Sequence, residues 1–262
     1  MRNLSKQALW ACSLVALCMG NPVQSIGQST VVSGKPSSSF QVKAAYKINP
    51  TTVEVLFADN RRMTFDFYGD HIFRLFQDDK GGILRDPQAK PPAQILVDNP
   101  RKPVSSLEVA NAADNITIQT ASIKILIKKE NSLLSVINTK TGKSVLEWSE
   151  PAHFEKNKVT LTLKESPDEY FYGGGVQNGR FSHKGKVIAI ENQNSWTDGG
   201  VASPAPFYWS TNGYGLLWYT FKKGKYDFGA KKKGEVQLYH ENDYLDVFFM
   251  VNDGAVPLLN DF

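Results

Sequence analysis

Residues 52–67 have the sequence TVEVLFADNRRMTFDF, and this stretch decides the fold class. On both sides of the turn-forming pair Asp59-Asn60, apolar side chains occupy every second position. A period of two places alternate side chains on opposite faces of a β-strand. The stretch therefore predicts two antiparallel strands with one face turned toward a core.

The same alternation continues through residues 116–127 and 158–164, and no long stretch has the period of an amphipathic helix. Together these patterns predict an all-β fold, a single antiparallel β-sandwich over residues 40–262. Asn212-Gly213 predicts a tight type I′ hairpin, and the proline-rich residues 81–103 predict a long surface excursion. The side chains predicted to face the core are Val53, Phe65, Ile125, Leu161, Val247 and Phe249.

The first residues of the chain predict export. Arg2 and Lys6 precede the apolar residues 8–19, so residues 1–25 are predicted to be a secretory signal peptide. Residues 26–39 form a polar N-terminal segment before the sandwich. The apolar run is too short to span a membrane, which takes about 20 residues. The mature protein is therefore expected to be periplasmic or extracellular.

Composition argues against several classes of function. Cys12 and Cys18 both lie in the predicted signal peptide, so the mature chain has no thiol, disulfide or cysteine metal site. Removal of Arg2 and Lys6 lowers the formal net charge from +4 to +2, which argues against a nucleic-acid partner. The histidines lack metal-binding spacing, and no serine-hydrolase elbow or phosphate loop is present. We expect no metal and no other cofactor.

A second informative part of the chain combines glycines, amides and aromatic rings. Residues 170–183 have the sequence YFYGGGVQNGRFSH, and residues 192–206, NQNSWTDGGVASPAP, follow after a short predicted strand. Aromatic faces pack on the apolar C–H surface of a sugar, while amides, arginines and carboxylates bond to its hydroxyl groups. This mixture suits a sugar-binding site. The alternative is a glycine-rich turn region with half-buried aromatic residues.

Five short segments occur in an order that resembles a known family. They are YFYGGG at residues 170–175, WTD at 196–198, PFY at 206–208, NGYG at 212–215 and DVFF at 246–249. This order resembles the N-terminal domain of glycoside hydrolase family 31, the α-glucosidase and α-xylosidase group. It is most similar to the 4-α-glucosyltransferase-like branch of that family, in detail over residues 170–262 and only as a general pattern over residues 40–169.

The resemblance implies a β-sandwich like that of galactose mutarotases, packed against a (β/α)8 barrel. In the family the catalytic aspartates lie on the barrel, and the Asp-Met pair of the nucleophile motif is absent here. The chain therefore resembles a front domain truncated before the catalytic barrel, and we expect it to hold no catalytic residue. A retaining mechanism would belong to the parent enzyme.

The acidic pairs Asp168/Glu169 and Asp243/Asp246 are interpreted as solvated strand ends. An apolar face toward the barrel is also expected, with Trp209, Trp218 and Tyr219 as candidates.

The resemblance also implies that the loop around Asp198 reaches the sugar-binding cleft, since Asp198 matches the acid of the family's loop. A carboxylate can accept hydrogen bonds from two neighbouring sugar hydroxyls. We predict substrate binding by Asp198 first and Trp196 second, with Arg180, Gln177 and Asn178 as supports. The alternative makes Asp198 an Asx-turn residue that only shapes the loop.

The predicted function is that of a non-catalytic N-terminal domain of an exported retaining α-glycosidase or α-glucosyltransferase acting on α-glucans. Its expected partners are an α-linked oligosaccharide and the missing (β/α)8 barrel. One alternative is a stand-alone carbohydrate-binding or mutarotase-like sandwich, in which His183 or His240 would act with Glu191. Another is a purely structural or interaction domain.

Overall fold

The computed structural model describes residues 40–78, 102–179, 181–193 and 196–262. These residues form strands and one short helix, and each strand pairing among them is antiparallel. The predicted all-β, antiparallel fold class is therefore confirmed. The predicted signal peptide, the polar segment and almost all of the proline-rich stretch lie outside the described residues.

The largest sheet has eight strands. Neighbouring strands are mostly consecutive in the chain, but β18 inserts between β4 and β15 and so joins the two halves of the domain. In spatial order the strands are β1 (Val42–Asn49), β2 (Thr52–Phe57), β3 (Arg62–Phe67), β4 (Ile72–Asp78), β18 (Tyr244–Val251), β15 (Tyr214–Trp218), β14 (Val201–Ser210) and β12 (Phe171–Gln177).

Two five-stranded sheets complete the sandwich. The first has the order β10 (His153–Glu155), β11 (Lys158–Lys164), β17 (Glu235–His240), β16 (Gly224–Phe228) and β13 (Val187–Ile190). The second has the order β5 (Glu108–Asn111), β6 (Asn115–Gln119), β7 (Ile123–Lys128), β8 (Leu134–Asn138) and β9 (Ser144–Glu147). Helix α1 (Ala255–Asp261) follows β18.

One continuous hydrophobic core contains side chains from all three sheets. The six side chains predicted to face inward are all buried in it, as the period-two pattern requires. The predicted core positions Val53, Phe65, Ile125, Leu161, Val247 and Phe249 are therefore confirmed.

A second apolar cluster lies on the opposite face of the large sheet. Along β18, Phe248 and Met250 belong to this cluster, whereas their neighbours Val247 and Phe249 belong to the main core. Helix α1 covers the cluster with the fully buried Leu258. The ring of Phe262, which follows α1, stacks on Phe207 of β14 with 4.0 Å between centroids.

Two of the three aromatic residues predicted on an exposed face are buried. Trp218 lies in the main core, and Tyr219 lies in the second cluster. Trp209 is half-buried at the margin of that cluster. The alternation of apolar and polar residues assigns each side chain to one face of the sheet. It does not reveal that apolar clusters cover both faces of this sheet, which is why Trp218 and Tyr219 are buried.

The turn at Asn212-Gly213 is longer than predicted. Ser210 pairs with Tyr214, which leaves three residues in the connection between β14 and β15. Gly213 has a φ of 98°, whereas a type I′ turn needs a positive φ at two successive residues. The hairpin is confirmed, but its type I′ geometry is wrong.

Two carboxylates interpreted as solvated strand ends are buried. Glu169 accepts hydrogen bonds from the backbone N–H of Ser166 and from the hydroxyl of Ser210, and its burial raises its pKa. Asp246 of β18 pairs with Arg74 of β4. The interpretation fails at Glu169 and Asp246 because Ser210 and Arg74, which bond to them, come from distant parts of the chain, and sequence spacing does not place these partners.

Candidate functional site: two joined loops beside a glycine run

Two loops meet where β12 ends and β14 begins. The first loop follows β12, and the second connects β13 to β14. Asn178 joins them, because its backbone N–H donates to the carbonyl of Gly200 at 3.0 Å and its own carbonyl accepts from the N–H of Gly199 at 2.8 Å. These bonds bring together two parts of the chain that the sequence separates by a strand.

The side chain of Asp198 is exposed on these joined loops and lies against Gly179. A Cβ atom at Gly179 would lie 3.1 Å from Oδ1 of Asp198 and 3.3 Å from its Cγ. Gly179 also has a φ of 65°, in the left-handed region that favours glycine. A glycine here thus lets the carboxylate lie close to the backbone of the other loop.

Exposed and half-buried aromatic rings lie on these two loops and on the adjoining strands β12 and β14. Trp196, two residues before Asp198, is 76% exposed, and Phe181 is 87% exposed. Phe181 contacts the ring of Tyr172 edge-on, and Tyr172 stacks on Trp209 with 4.5 Å between centroids. Sequence reasoning missed the row formed by Phe181, Tyr172 and Trp209, because the stacking of Tyr172 on Trp209 depends on the register between β12 and β14, and Phe181 meets Tyr172 only in the folded chain.

The run Gly173–Gly175 allows β14 to approach β12 closely. A Cβ atom at Gly175 would lie 2.1 Å from the carbonyl oxygen of Ser203, and one at Gly173 would lie 2.8 Å from that of Phe207. A Cβ atom at Gly174 would lie 2.5 Å from Cδ1 of Ile188. Gly173 and Gly175 therefore have no room for a side chain, because backbone atoms block them, whereas a side chain at Gly174 would require the end of the Ile188 side chain to move.

Two buried side chains bond to the carbonyls of this run. His183 donates from Nε2 to the carbonyl of Gly173 at 2.8 Å. Gln177 donates from Nε2 to the carbonyl of Gly174 at 2.8 Å and to that of Ala189, on β13, at 3.2 Å. Both residues are thereby bonded within the protein rather than directed to solvent.

The structure thus brings together part of the predicted site. Asp198 and Trp196 are exposed on one loop, Asn178 is half-buried in the bonds that join the loops, and Gln177 is buried beneath them. Arg180 lies outside the described residues. Substrate contact by these side chains remains a prediction.

The mutarotase-like alternative needs a histidine that can reach a sugar, and neither candidate histidine has a solvent-exposed ring. His183 is buried in the bonds given above. His240 is fully buried: its Nδ1 donates to the carbonyl of Lys222, and its Nε2 accepts from the hydroxyl of Tyr226. Burial lowers the pKa of His240 to about 4. We find no observation that favours this alternative.

Within the residues that the structure describes, no three or more His, Cys, Asp or Glu side chains are grouped so as to hold a metal ion. The same residues include no helix with the length and apolar character needed to cross a membrane.

The comparisons with known proteins agree on one family. Residues 62–227 match the model of the glycosyl hydrolase 31 N-terminal galactose mutarotase-like domain. A search of curated protein sequences finds no match.

Solved structures similar to this chain include enzymes of glycoside hydrolase family 31. A dextranase of Flavobacterium johnsoniae, complexed with isomaltotriose, has a TM-score of 0.74 and 16% identity over 86% of this chain. An α-xylosidase from a soil metagenome, complexed with xylose, has a TM-score of 0.63 and 18% identity over 79% of this chain. The cycloalternan-forming enzyme of Listeria monocytogenes, in complex with a pentasaccharide substrate, has a TM-score of 0.65 and 16% identity over 80% of it. This chain spans 28%, 32% and 21% of their respective lengths, and at these identities the similarity shows the fold alone.

Proposed function

Because the chain belongs to the family of glycosyl hydrolase 31 N-terminal galactose mutarotase-like domains, we propose that it is the non-catalytic front domain of an exported retaining α-glycosidase or α-glucosyltransferase. In this proposal the substrate is an α-glucan. The joined loops at residues 178–179 and 196–200 supply one wall of the substrate cleft. A catalytic barrel in a longer protein supplies the reacting aspartates.

The exposed carboxylate of Asp198, held against Gly179, is the observation that carries this proposal. A carboxylate that serves only an Asx turn bonds to nearby backbone N–H groups. No such bond from Asp198 occurs among the hydrogen bonds of the described residues, in which Gly199 and Gly200 donate instead to the carbonyls of Asn178 and Thr197. The carboxylate is therefore available to a ligand.

Sugar hydroxyls and sugar faces match what this surface offers. Hydrogen bonds to a charged acceptor contribute about 1.5–3 kcal/mol each, so a carboxylate that bonds two vicinal hydroxyls can anchor one ring. The exposed indole of Trp196 offers a face for the apolar side of a sugar. The oligosaccharides in the complexes of the dextranase and the cycloalternan-forming enzyme support an α-glucan as the ligand class.

Export rests on the N-terminal sequence. Residues 1–25 combine two basic residues, an apolar stretch and a small-residue end. An exported enzyme meets α-glucans outside the cytoplasm, which agrees with the proposed substrate.

A titration of the purified chain with isomaltotriose, followed by amide and indole NMR, tests sugar binding. We expect saturable shifts at the Trp196 indole and at the Gly199 and Gly200 amides, with a weak, roughly millimolar dissociation constant because only one wall of the cleft is present. The amide of Gly142, in a turn between β8 and β9, should not shift.

Asp198→Asn removes the charged acceptor, and Asp114→Asn does the same at an exposed turn between β5 and β6. We expect the first variant to abolish the shifts and the second to leave them unchanged. Equal binding by both variants would contradict the role of Asp198. No saturable shift in the parent chain would contradict sugar binding by this domain.

A further inference from the structure

An unusual backbone run precedes the joint between the two loops. Gly173, Gly174 and Gly175 have φ angles of 110°, 76° and 77°, three successive residues in the region that side chains disfavour. Opposite them, β14 contains extra residues, since Gly173 pairs with Tyr208 but Gly175 pairs with Pro204. Three successive glycines can adopt many backbone conformations, so other groups must hold the observed conformation in place.

Two side chains supply that restraint from opposite directions. His183 follows the first loop and bonds back to the carbonyl of Gly173, and its ring stacks on Phe228 with 5.7 Å between centroids. Gln177 ends β12 and bonds back to the carbonyl of Gly174. The first two carbonyls of the run are therefore each fixed by a buried donor.

Gln177 also connects the two strands from which the loops arise. Its second bond, to Ala189, reaches β13, the strand that precedes the loop of Asp198. Asn178, the joint itself, is the next residue along the chain. Within the described part of the molecule, the buried Oε1 of Gln177 has no hydrogen-bond partner. An apolar side chain of the same size would avoid that unpaired acceptor, so what the amide contributes is its two donors.

We propose that Gln177 and His183 are positioning residues that hold Gly173–Gly175 in one conformation and thereby place the Asn178 joint and the carboxylate of Asp198. The proposal rests on the proposed function in one respect, namely that Asp198 is the group to be placed. It assigns Gln177 a role beneath the sugar-binding surface, while direct contact with the sugar falls to residues on the exposed loop.

Hydrogen exchange of individual amides in the purified chain tests the proposal without any sugar. Gln177→Met and His183→Leu remove the donors and keep an apolar side chain of similar size, whereas His183→Gln restores a donor. Gln237→Met, at an exposed position of β17, is the matched control.

In Gln177→Met and His183→Leu we expect the amides of Asn178 and Gly199 to exchange about tenfold faster, as the loss of a buried hydrogen bond implies. Amides at the centre of the large sheet, such as that of Leu216, should exchange at the parent rate. His183→Gln and Gln237→Met should match the parent at all of these positions.

Parent-like exchange at Asn178 and Gly199 in both donor-free variants would overturn the proposal. So would an equal acceleration at the joint and at the centre of the sheet, because that pattern means general destabilisation. A titration of the parent with isomaltotriose separates the two claims: if the parent binds no sugar, the proposed function fails, while the exchange result still decides the positioning role.

Discussion

Arg74 and Asp246 form a two-bond ion pair that links β4 to β18, with Nε–Oδ1 and Nη2–Oδ2 distances of 2.7 and 2.6 Å. Both side chains are buried, and the guanidinium lies over the rings of Tyr219 and Phe248. Burial opposes the charge on Arg74, but the hydrogen bonds and charge of Asp246 outweigh it and raise the pKa of Arg74 above its ordinary value. The pair thus links β4 to β18, the strand that lies between the two halves of the large sheet.

Removing one partner of this pair should be costly. We expect Arg74→Met or Asp246→Asn to lower the free energy of unfolding by about 3–5 kcal/mol, because each leaves a buried group without its partner. Chemical denaturation measures the change. Glu147→Gln, which breaks the exposed pair with Lys164, should cost less than about 1 kcal/mol. The double variant Arg74→Met/Asp246→Asn should lose less than the sum of the two single changes, and strict additivity would contradict a direct coupling.

Stability should fall in mild acid because of His240. Its imidazole, buried and neutral, has a pKa lowered to about 4, whereas the unfolded chain takes up that proton near pH 6.5. Between these values the unfolded state binds more protons, so the contribution is complete above pH 6.5 and is lost as pH falls toward 4. The loss is about 3 kcal/mol.

Denaturation of the parent and of His240→Gln at pH 7 and at pH 4.5 measures this contribution. We expect a smaller decrease in the free energy of unfolding for His240→Gln, since that variant has no ring to protonate. His153→Gln, at an exposed position of β10, is the control. An identical decrease in the parent and in His240→Gln would show that other groups cause the acid sensitivity.

Substitution of Gly175 should separate the effect of close approach from the effect of backbone strain. Gly175→Ala places a Cβ atom 2.1 Å from a backbone oxygen at a φ of 77°, whereas Gly142→Ala has a φ of 67° and nothing within 4 Å. We expect Gly142→Ala to cost about 1–2 kcal/mol from the left-handed backbone alone. Gly175→Ala should cost at least about 2 kcal/mol more, as a forced backbone shift would. Similar costs measured by thermal unfolding would mean that β14 can move away from β12.

In a longer form of the protein that carries the catalytic barrel, Asp198→Asn and Asp198→Ala should weaken disaccharide turnover or transfer about tenfold or more. The melting temperature should barely change, since the side chain is exposed. A lower melting temperature with unchanged kinetics per folded molecule would instead make Asp198 a residue that only shapes its loop.

The chain by itself should not hydrolyse an aryl α-glucoside. Glycoside hydrolysis needs two suitably spaced carboxylates, and the proposal places both on the barrel. The buried acids Glu169 and Asp246 are engaged with Ser210 and Arg74, which leaves neither open to a substrate. Turnover above that of a heat-denatured sample would contradict this prediction.

The sequence predicts the strands well because alternation reports directly on which side chains leave water. Val53 and Phe249 lie far apart in the chain, yet both face the core as predicted. The division into three sheets is not predictable in this way, since alternation carries no information on which strand pairs with which. The insertion of β18 beside β4 is one such non-local pairing.

The candidate site is predictable only in part. Residue chemistry, together with the resemblance to glycoside hydrolase family 31, points to Asp198 and Trp196, and both are exposed on one loop. The inward direction of Gln177 depends on carbonyls of Gly174 and Ala189 that only the folded backbone brings within reach. The contact between Asp198 and Gly179 likewise needs two loops to meet, which spacing along the chain does not reveal.

The position of His183 also affects the edge of the large sheet that β12 forms among the described strands. β12 is the last strand of that sheet, and exposed edges of this kind can recruit strands from other molecules and start aggregation. His183 donates from its backbone N–H to the carbonyl of Phe171 at 2.9 Å and from its ring to the carbonyl of Gly173. His183 thus occupies two backbone acceptors on this edge. The left-handed glycines disrupt the regular spacing of the other backbone groups along β12. An incoming strand therefore meets no regular series of hydrogen-bonding groups.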